Sequence, residues 1–338
     1  MDALHEFEVV RPSSLDEAIA LRAAHPGSSL LGGGTDLLVN IRRGIVGPAM
    51  LIDMNGVSEL HAIKADAHTL EIGASVKIAD LAAHPDVARH YPVVAQAAKL
   101  IAGPTHRNMG TVGGNICLDT RCIYYNQSEW WRNANNHCLK TTGDICHVAP
   151  KSRGVCFATF SGDLAPALLT LAAEVDIDGP LGRRTLPLNS LYIGYSRQDQ
   201  PITTSLGDGK FYLSLRPDDI VTAVRARNTP GLRSAYDKIR IRRSIEYPVA
   251  GVAVALCRDG DMLTRLSVAV TGTNPRPVLL EGTAEVCSRP LDDRAFRLLD
   301  DLVRDQIMAM KTTFTPGHYR RRVAGVLVRR LVERLFAA

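Results

Sequence analysis

Four cysteines fall within one stretch of the chain, at Cys122, Cys138, Cys146 and Cys156. Thiolates are soft ligands, suited to zinc or to iron–sulfur clusters, and four of them can close either kind of site. Fifteen, seven and nine residues separate them in turn, and no paired C-x₂-C knuckle of a zinc ribbon occurs. Such wide spacing suits a cluster wrapped by a long loop better than a zinc knuckle. His137 and His147 flank two of the cysteines as further candidate zinc ligands, with an outer or surface role the simpler expectation. Trp130 and Trp131, the only tryptophans, together with Tyr124 and Tyr125 could form a small core that keeps water off a metal. Cys117 is the nearest competitor as a ligand, although its place directly after a glycine turn fits packing better. Cys257 and Cys287 read as core thiols.

Two glycine-rich turns precede this stretch. Leu31-Gly32-Gly33-Gly34-Thr35-Asp36-Leu37 follows an apolar strand and opens a short helix, with Thr35 or Asp36 at its N-cap. Glycines let the backbone come close to a ligand, and free N–H groups at a helix start suit a pyrophosphate. The turn is neither G-x-G-x-x-G nor a P-loop. Gly110-Thr111-Val112-Gly113-Gly114-Asn115 forms a second cradle or, more simply, a hairpin turn. The two turns together suit an extended ligand with more than one phosphate, such as a dinucleotide.

The elements that must hold these turns alternate between helix and strand. Ser14 and Glu17 form a capping-box pattern opening a helix. Strands are expected at 29–31, 51–54 and 69–74, and helices at 78–82, 93–98 and 164–173. Residues 174–178 alternate as a half-buried strand that Gly179-Pro180 turns. Asn228-Thr229-Pro230-Gly231 marks a domain boundary. Strands at 249–256 and 266–270 follow, then helices from Asp292 onward. In the last of these, Val323, Leu327, Leu331 and Leu335 lie on one side with arginines elsewhere, as in a subunit-facing helix, a membrane-surface helix or, most simply, a helix that caps a domain with a solvated basic face.

Composition sets broad limits. The 338 residues allow two domains, and 46% hydrophobic with 22% charged residues excludes a disordered chain. A net charge of +5 does not suggest nucleic-acid binding, and no apolar run reaches the ~20 residues of a membrane span. The acidic start Met1-Asp2-Ala3-Leu4-His5-Glu6 does not look like a signal peptide. A cytoplasmic location is therefore expected. Seven reduced cysteines there point to metal or redox work.

These residues carry a resemblance. Gly32 to Asp36 and Gly110 to Asn115 resemble the two flavin-binding loops of the medium, FAD-carrying subunit of the molybdenum hydroxylases, which include xanthine dehydrogenase and carbon monoxide dehydrogenase. Ser161-Gly162-Asp163-Leu164 resembles the segment that follows the second loop directly in most members. Here about forty residues bearing the cysteines intervene. That insertion resembles the beta subunits of the 4-hydroxybenzoyl-CoA reductases, above all in Cys117-Leu118-Asp119-Thr120-Arg121-Cys122 and Tyr124-Tyr125-Asn126-Gln127-Ser128-Glu129. Cys138-Leu139-Lys140 and Cys146-His147-Val148-Ala149-Pro150 continue it.

The resemblance implies an α+β chain. Residues 1–226 would form an FAD-binding domain of the vanillyl-alcohol oxidase (PCMH) type, with a [4Fe–4S] loop inserted at about 118–160. Residues 227–338 would form a smaller C-terminal α+β domain. Leu31, Gly32, Gly33, Gly34, Thr35, Asp36 and Leu37 would hold FAD, with Thr111, Gly113, Gly114, Asn115 and Asp163. Lys238 is the best match to a basic residue beside the flavin, although Lys238, Arg240, Arg242 and Arg243 also read as a solvated strand face. Cys122, Cys138, Cys146 and Cys156 would hold a [4Fe–4S] cluster. No catalytic residue is expected on this chain. The implied activity is electron relay from reduced ferredoxin through [4Fe–4S] and FAD to partner subunits. A small subunit would carry two [2Fe–2S] clusters. A large one would carry a molybdopterin-type molybdenum cofactor, where 4-hydroxybenzoyl-CoA is dehydroxylated to benzoyl-CoA in anaerobic aromatic degradation. The assembly implied is a heterohexamer, a dimer of heterotrimers. The alternatives are the FAD/[4Fe–4S] subunit of an aldehyde oxidoreductase of the same family and a zinc-stabilised binding module.

Overall fold

A computed structural model describes residues 5–152, 154–192, 207–242 and 245–338. Met1–Leu4 of the N-terminal reading, and Arg243 of the basic strand face, lie outside the described residues. Among the described residues, twelve strands form three sheets. The first is parallel, with β1 (Glu8–Val10) and β2 (Ser29–Leu31) on either side of β3 (Met50–Asp53). The second runs in the order β4 (Ile63–Ala65), β5 (Thr69–Gly73), β8 (Ile220–Arg227), β6 (Glu174–Asp178) and β7 (Arg184–Pro187), antiparallel throughout. The third places β9 (Arg233–Ile239), β10 (Ala250–Asp259), β11 (Met262–Thr271) and β12 (Val278–Leu279) side by side, also antiparallel.

The first helix, Leu15–Ala24, starts where the capping pattern places it. Ser14 Oγ accepts from the Glu17 N–H, but the Glu17 carboxylate reaches back to Ser13 rather than to Ser14. The main core lies among β5, β6, β8 and the helices Ile78–Ala83, Pro92–Leu100 and Leu164–Thr170. Tyr236, Ala253 and Ala269 of the third sheet join it. The other face of that sheet packs on Asp293–Gln306 and Gly317–Ala337. Cover on both faces explains why the first seven residues of β10, Ala-Gly-Val-Ala-Val-Ala-Leu, are all buried. The last helix caps the sheet with Leu327, Leu331 and Leu335 inward, and Arg321, Arg322 and Arg330 stay exposed. Among the described residues no helix is long and apolar enough to cross a membrane.

Strand β6 corrects one expectation. Only Glu174 is exposed, so the strand is buried on both faces rather than one. Its acidic residues survive burial because each is paired. Asp176 meets Arg225 at 2.6 Å and accepts from Thr185, while Asp178 meets Arg183 at 3.0 Å and accepts from Thr222.

Candidate functional site

The two glycine turns close on each other. β2 ends at Leu31, Gly34 takes a left-handed φ of +70°, and the helix Leu37–Arg42 follows. A Cβ on Gly33 would sit 1.9 Å from the carbonyl oxygen of Met109, and one on Gly32 would lie 2.6 Å from Thr111 Oγ1. The turns can therefore meet only without side chains. The second turn is a helix start rather than a hairpin. Thr111 is the N-cap of Val112–Ile116, its Oγ1 accepting from the Gly114 N–H at 3.2 Å. Gly113 rests against Ala74, and its N–H donates to the Ala74 carbonyl at 2.8 Å.

Between the turns opens a cavity of about 660 Å³. Gly32 to Leu37, Thr111, Gly113, Gly114, Asn115 and Asp163 line it, and Leu31 does not. Asp36 sits at the helix N-cap, yet its side chain does not cap. It accepts instead from Arg121 at 2.8 Å and from Asn40 at 2.7 Å, tying the cysteine stretch to the first turn. Asn115 Oδ1 accepts from the Leu164 N–H, joining the second turn to the next helix.

Asp163 is nearly fully buried. It accepts from Tyr236 Oη at 2.5 Å and lies 2.9 Å from Lys238 Nζ. Burial pushes the Asp163 carboxyl up against the opposing pull of Lys238 and Tyr236, and burial pulls the Lys238 ammonium down. Lys238 thus stands behind Asp163 instead of lining the cavity, and it is not part of a solvated face.

Arg22, His106, Tyr212, Asp219 and Tyr247 also line the cavity, from segments far apart in sequence. No local pattern marks them. His106 Nδ1 is buried there without a hydrogen-bond partner. An unpartnered buried donor or acceptor, a cradle that a single Cβ would fill and a roomy cavity together fit an extended polar cofactor such as FAD.

The four cysteines converge on a second, small cavity next to this one. Cys122, Cys138, Cys146 and Cys156 are all buried free thiols and all line it. Cys117 lines the larger cavity instead, and burial pushes its thiol up to about 12. Backbone N–H groups point at the sulfurs, from Tyr125 to Cys122 at 3.3 Å and from Ala158 to Cys156 at 3.5 Å. A hydrogen bond from Cys156, helped by backbone N–H groups, draws the Cys146 thiol down to about 5. Burial pushes Cys122 up to about 11, so a metal would have to deprotonate it. Among the described residues no three His, Cys, Asp or Glu side chains are grouped closely enough for one metal ion. Four buried sulfurs around a cavity, with N–H donors aimed at them, fit a cluster.

The aromatic shell differs from expectation at one residue. Tyr125 is buried, and Tyr124 stacks with Trp131 at a centroid distance of 6.2 Å and lies tilted against His147 at 5.7 Å. Trp130 is 79% exposed and shields nothing. His147 Nε2 lies 2.6 Å from the His137 carbonyl oxygen, which occupies that ring nitrogen.

Residues 5–226 match the family described as "FAD binding domain in molybdopterin dehydrogenase". The chain is 28% identical over 279 residues to the carbon monoxide dehydrogenase medium chain of Hydrogenophaga pseudoflava, covering 82% of this chain and 78% of that one. It is 29% identical over 326 residues to the aldehyde oxidoreductase FAD-binding subunit PaoB of Escherichia coli, covering 95% and 97%. In fold it is similar to a chain of carbon monoxide dehydrogenase from Hydrogenophaga pseudoflava, with a TM-score of 0.78, 23% identity and 99% of each chain covered.

Proposed function

Because the chain belongs to the family of FAD-binding domains of molybdopterin dehydrogenases, we propose that it is the electron-transfer subunit of a molybdenum enzyme that dehydroxylates 4-hydroxybenzoyl-CoA to benzoyl-CoA. FAD-binding medium subunits of molybdenum-hydroxylase-type enzymes share its family and its fold. The finer reading adds a [4Fe–4S] cluster on Cys122, Cys138, Cys146 and Cys156. It also adds a large molybdenum subunit, a small [2Fe–2S] subunit, ferredoxin as donor and a dimer of heterotrimers. The observation that carries it is the convergence of four buried cysteines, spread along one inserted stretch, on a single cavity beside the glycine cradle. The proposed division is an FAD-binding domain at 1–226, with the insertion at about 118–160, and a C-terminal domain at 227–338.

When bound, FAD supplies one- or two-electron exchange and a four-iron cluster supplies one-electron exchange. The chain's own residues bind, orient and shield. Gly32, Gly33 and Gly34 would offer backbone to a pyrophosphate on one side of the cavity, and Thr111, Gly113, Gly114 and Asn115 would line the other. Asp163 is held from behind by Tyr236 and Lys238, so it would present a fixed acceptor to the cofactor. Leu31 contributes through the strand that aims the turn, and Lys238 through Asp163. Tyr125 and Ala158 exclude water around the cysteines.

A second reading is the FAD-binding, cluster-bearing subunit of an aldehyde oxidoreductase. The likeness to the Escherichia coli subunit over nearly the whole chain favours it. A zinc-stabilised module is told apart by metal analysis, which would then find one zinc and no iron. Turnover of the anaerobically purified complex decides the substrate. Reduction of 4-hydroxybenzoyl-CoA with no oxidation of aromatic aldehydes is expected, and the reverse pattern would establish the second reading.

A further inference from the structure

The wall between the two cavities contains an ion pair with a direction. Lys140 Nζ lies 2.7 Å from Asp119 Oδ1 and donates to the Gly209 carbonyl at 2.6 Å and to Thr120 Oγ1. Its side chain is 6% exposed. The ammonium also sits over two rings, 5.1 Å from the centroid of Tyr125 and 5.3 Å from that of Tyr212. Tyr125 packs with Cys122, Cys138 and Cys156, whereas Tyr212 lines the larger cavity. The two charges divide in the same way. Lys140 lines the cysteine cavity and Asp119 does not, while Asp119 lines the larger cavity and Lys140 does not. Arg121 strengthens the framework, lying 3.7 Å from Asp119 and 5.3 Å over the Tyr125 ring.

Burying the Lys140 ammonium is an expensive way to fill a wall, since an apolar residue of similar volume would pack as well or better. The pair has an electrostatic consequence that an apolar wall lacks. A fixed positive charge on the sulfur side stabilises added negative charge there, and a fixed negative charge on the other side opposes it there. Screening is weak at Lys140, which is buried, and stronger at Asp119, whose side chain is 28% exposed and lies beside Arg121.

We propose that the Lys140–Asp119 pair is a potential-setting device that raises the reduction potential of the cysteine-held centre, easing its reduction by an external low-potential donor. The inference rests on the reading that the four cysteines hold an iron–sulfur cluster. Lys140 is a positioning residue in this scheme. It touches neither substrate nor a reacting atom, and its hydrogen bonds fix Thr120 and the segment at Gly209 against the cysteine loop.

The test uses the full complex, purified anaerobically, in wild-type, Lys140→Met and Asp119→Asn forms. Iron, sulfide and FAD are measured first. Each sample is then titrated with dithionite while the electron spin resonance signal of the reduced centre is followed. Lys140→Met should lower the midpoint potential by at least the equivalent of a ten-fold change in the one-electron equilibrium constant, about 59 mV. Asp119→Asn should move it the opposite way, because the cation then acts unopposed. Opposite signs are a readout that a merely structural role would not produce. Iron-replete variants whose potentials stay put, or move in the same direction, overturn the inference. If Lys140→Met does not retain iron, Asp119→Asn decides alone, an upward shift supporting the device and any other result overturning it. A wild-type complex in which this chain carries no iron removes the underlying reading, and the inference falls with it.

Discussion

Replacing Gly33 by alanine should separate flavin binding from folding. The added Cβ would lie 1.9 Å from the Met109 carbonyl oxygen, where real contacts essentially never fall below 3.0 Å, so the two turns must part by roughly 1 Å. Neither side can yield by changing a rotamer, because both partners are backbone. Each turn is also anchored, with Asn55 Nδ2 donating to the Gly32 carbonyl at 2.6 Å and the Ile78 N–H donating to the Gly110 carbonyl at 2.9 Å. Forced overpacking of this kind costs about 1–3 kcal/mol. If that strain opens the cradle, FAD affinity falls about 5- to 150-fold. The assay is FAD titration of the deflavinated complex, with a thermal melt of the same sample. Gly114→Ala is the comparison, since its Cβ would meet only the Thr111 hydroxyl, at 3.1 Å, and it should lose less. A Gly33→Ala variant with wild-type FAD affinity and a wild-type melting temperature would refute the reasoning, since the contact that joins the turns would then have no consequence.

Cys138→Ser and Cys146→Ser should each lose iron while keeping most FAD, and Cys117→Ser should keep both, as read by metal analysis and absorption spectra. Iron loss in Cys117→Ser but not in Cys156→Ser would name the wrong fourth ligand. Asp163→Asn leaves the buried Lys238 without its carboxylate and should destabilise the protein by about 3–5 kcal/mol in urea unfolding; an unchanged midpoint would mean the pair is not buried as described. The carboxyl of Asp292 caps the helix Asp293–Gln306, and N–H groups, first that of Ala295, hold it below its ordinary value of 3.8. The stability it adds is therefore complete above the unfolded value and is lost as pH falls through the lower folded one. Acid unfolding followed by circular dichroism should show that loss in the wild type and not in Asp292→Ala.

Features that depend on local chemistry were legible in the sequence. Glycines in the two turns, the Ser14 cap and the apolar runs of β2, β3 and β10 announce themselves over a few residues. The four cysteines stood out as a set because no ordinary loop needs four thiols, and the structure gathers them at one cavity. Features that depend on distant partners were not. Lys238 reads as one of several basic residues on a strand, and only Asp163, seventy-five positions earlier, explains its burial. Asp176 and Asp178 alternate with apolar neighbours as surface residues do, and Arg225 of β8 and Arg183, just before β7, permit them inside. Trp130 looked like shielding because of its type, but the helix Glu129–Ala134 turns it outward while Arg132 is buried. Arg22, His106 and Tyr212 reach the cavity only through the fold.

Iron, acid-labile sulfide, zinc and FAD measured together on this chain, purified without oxygen, bear most directly on the paired redox sites. About four irons, as many sulfides and one flavin per chain are expected. Flavin accompanied by a lone zinc, or by no metal at all, would contradict it.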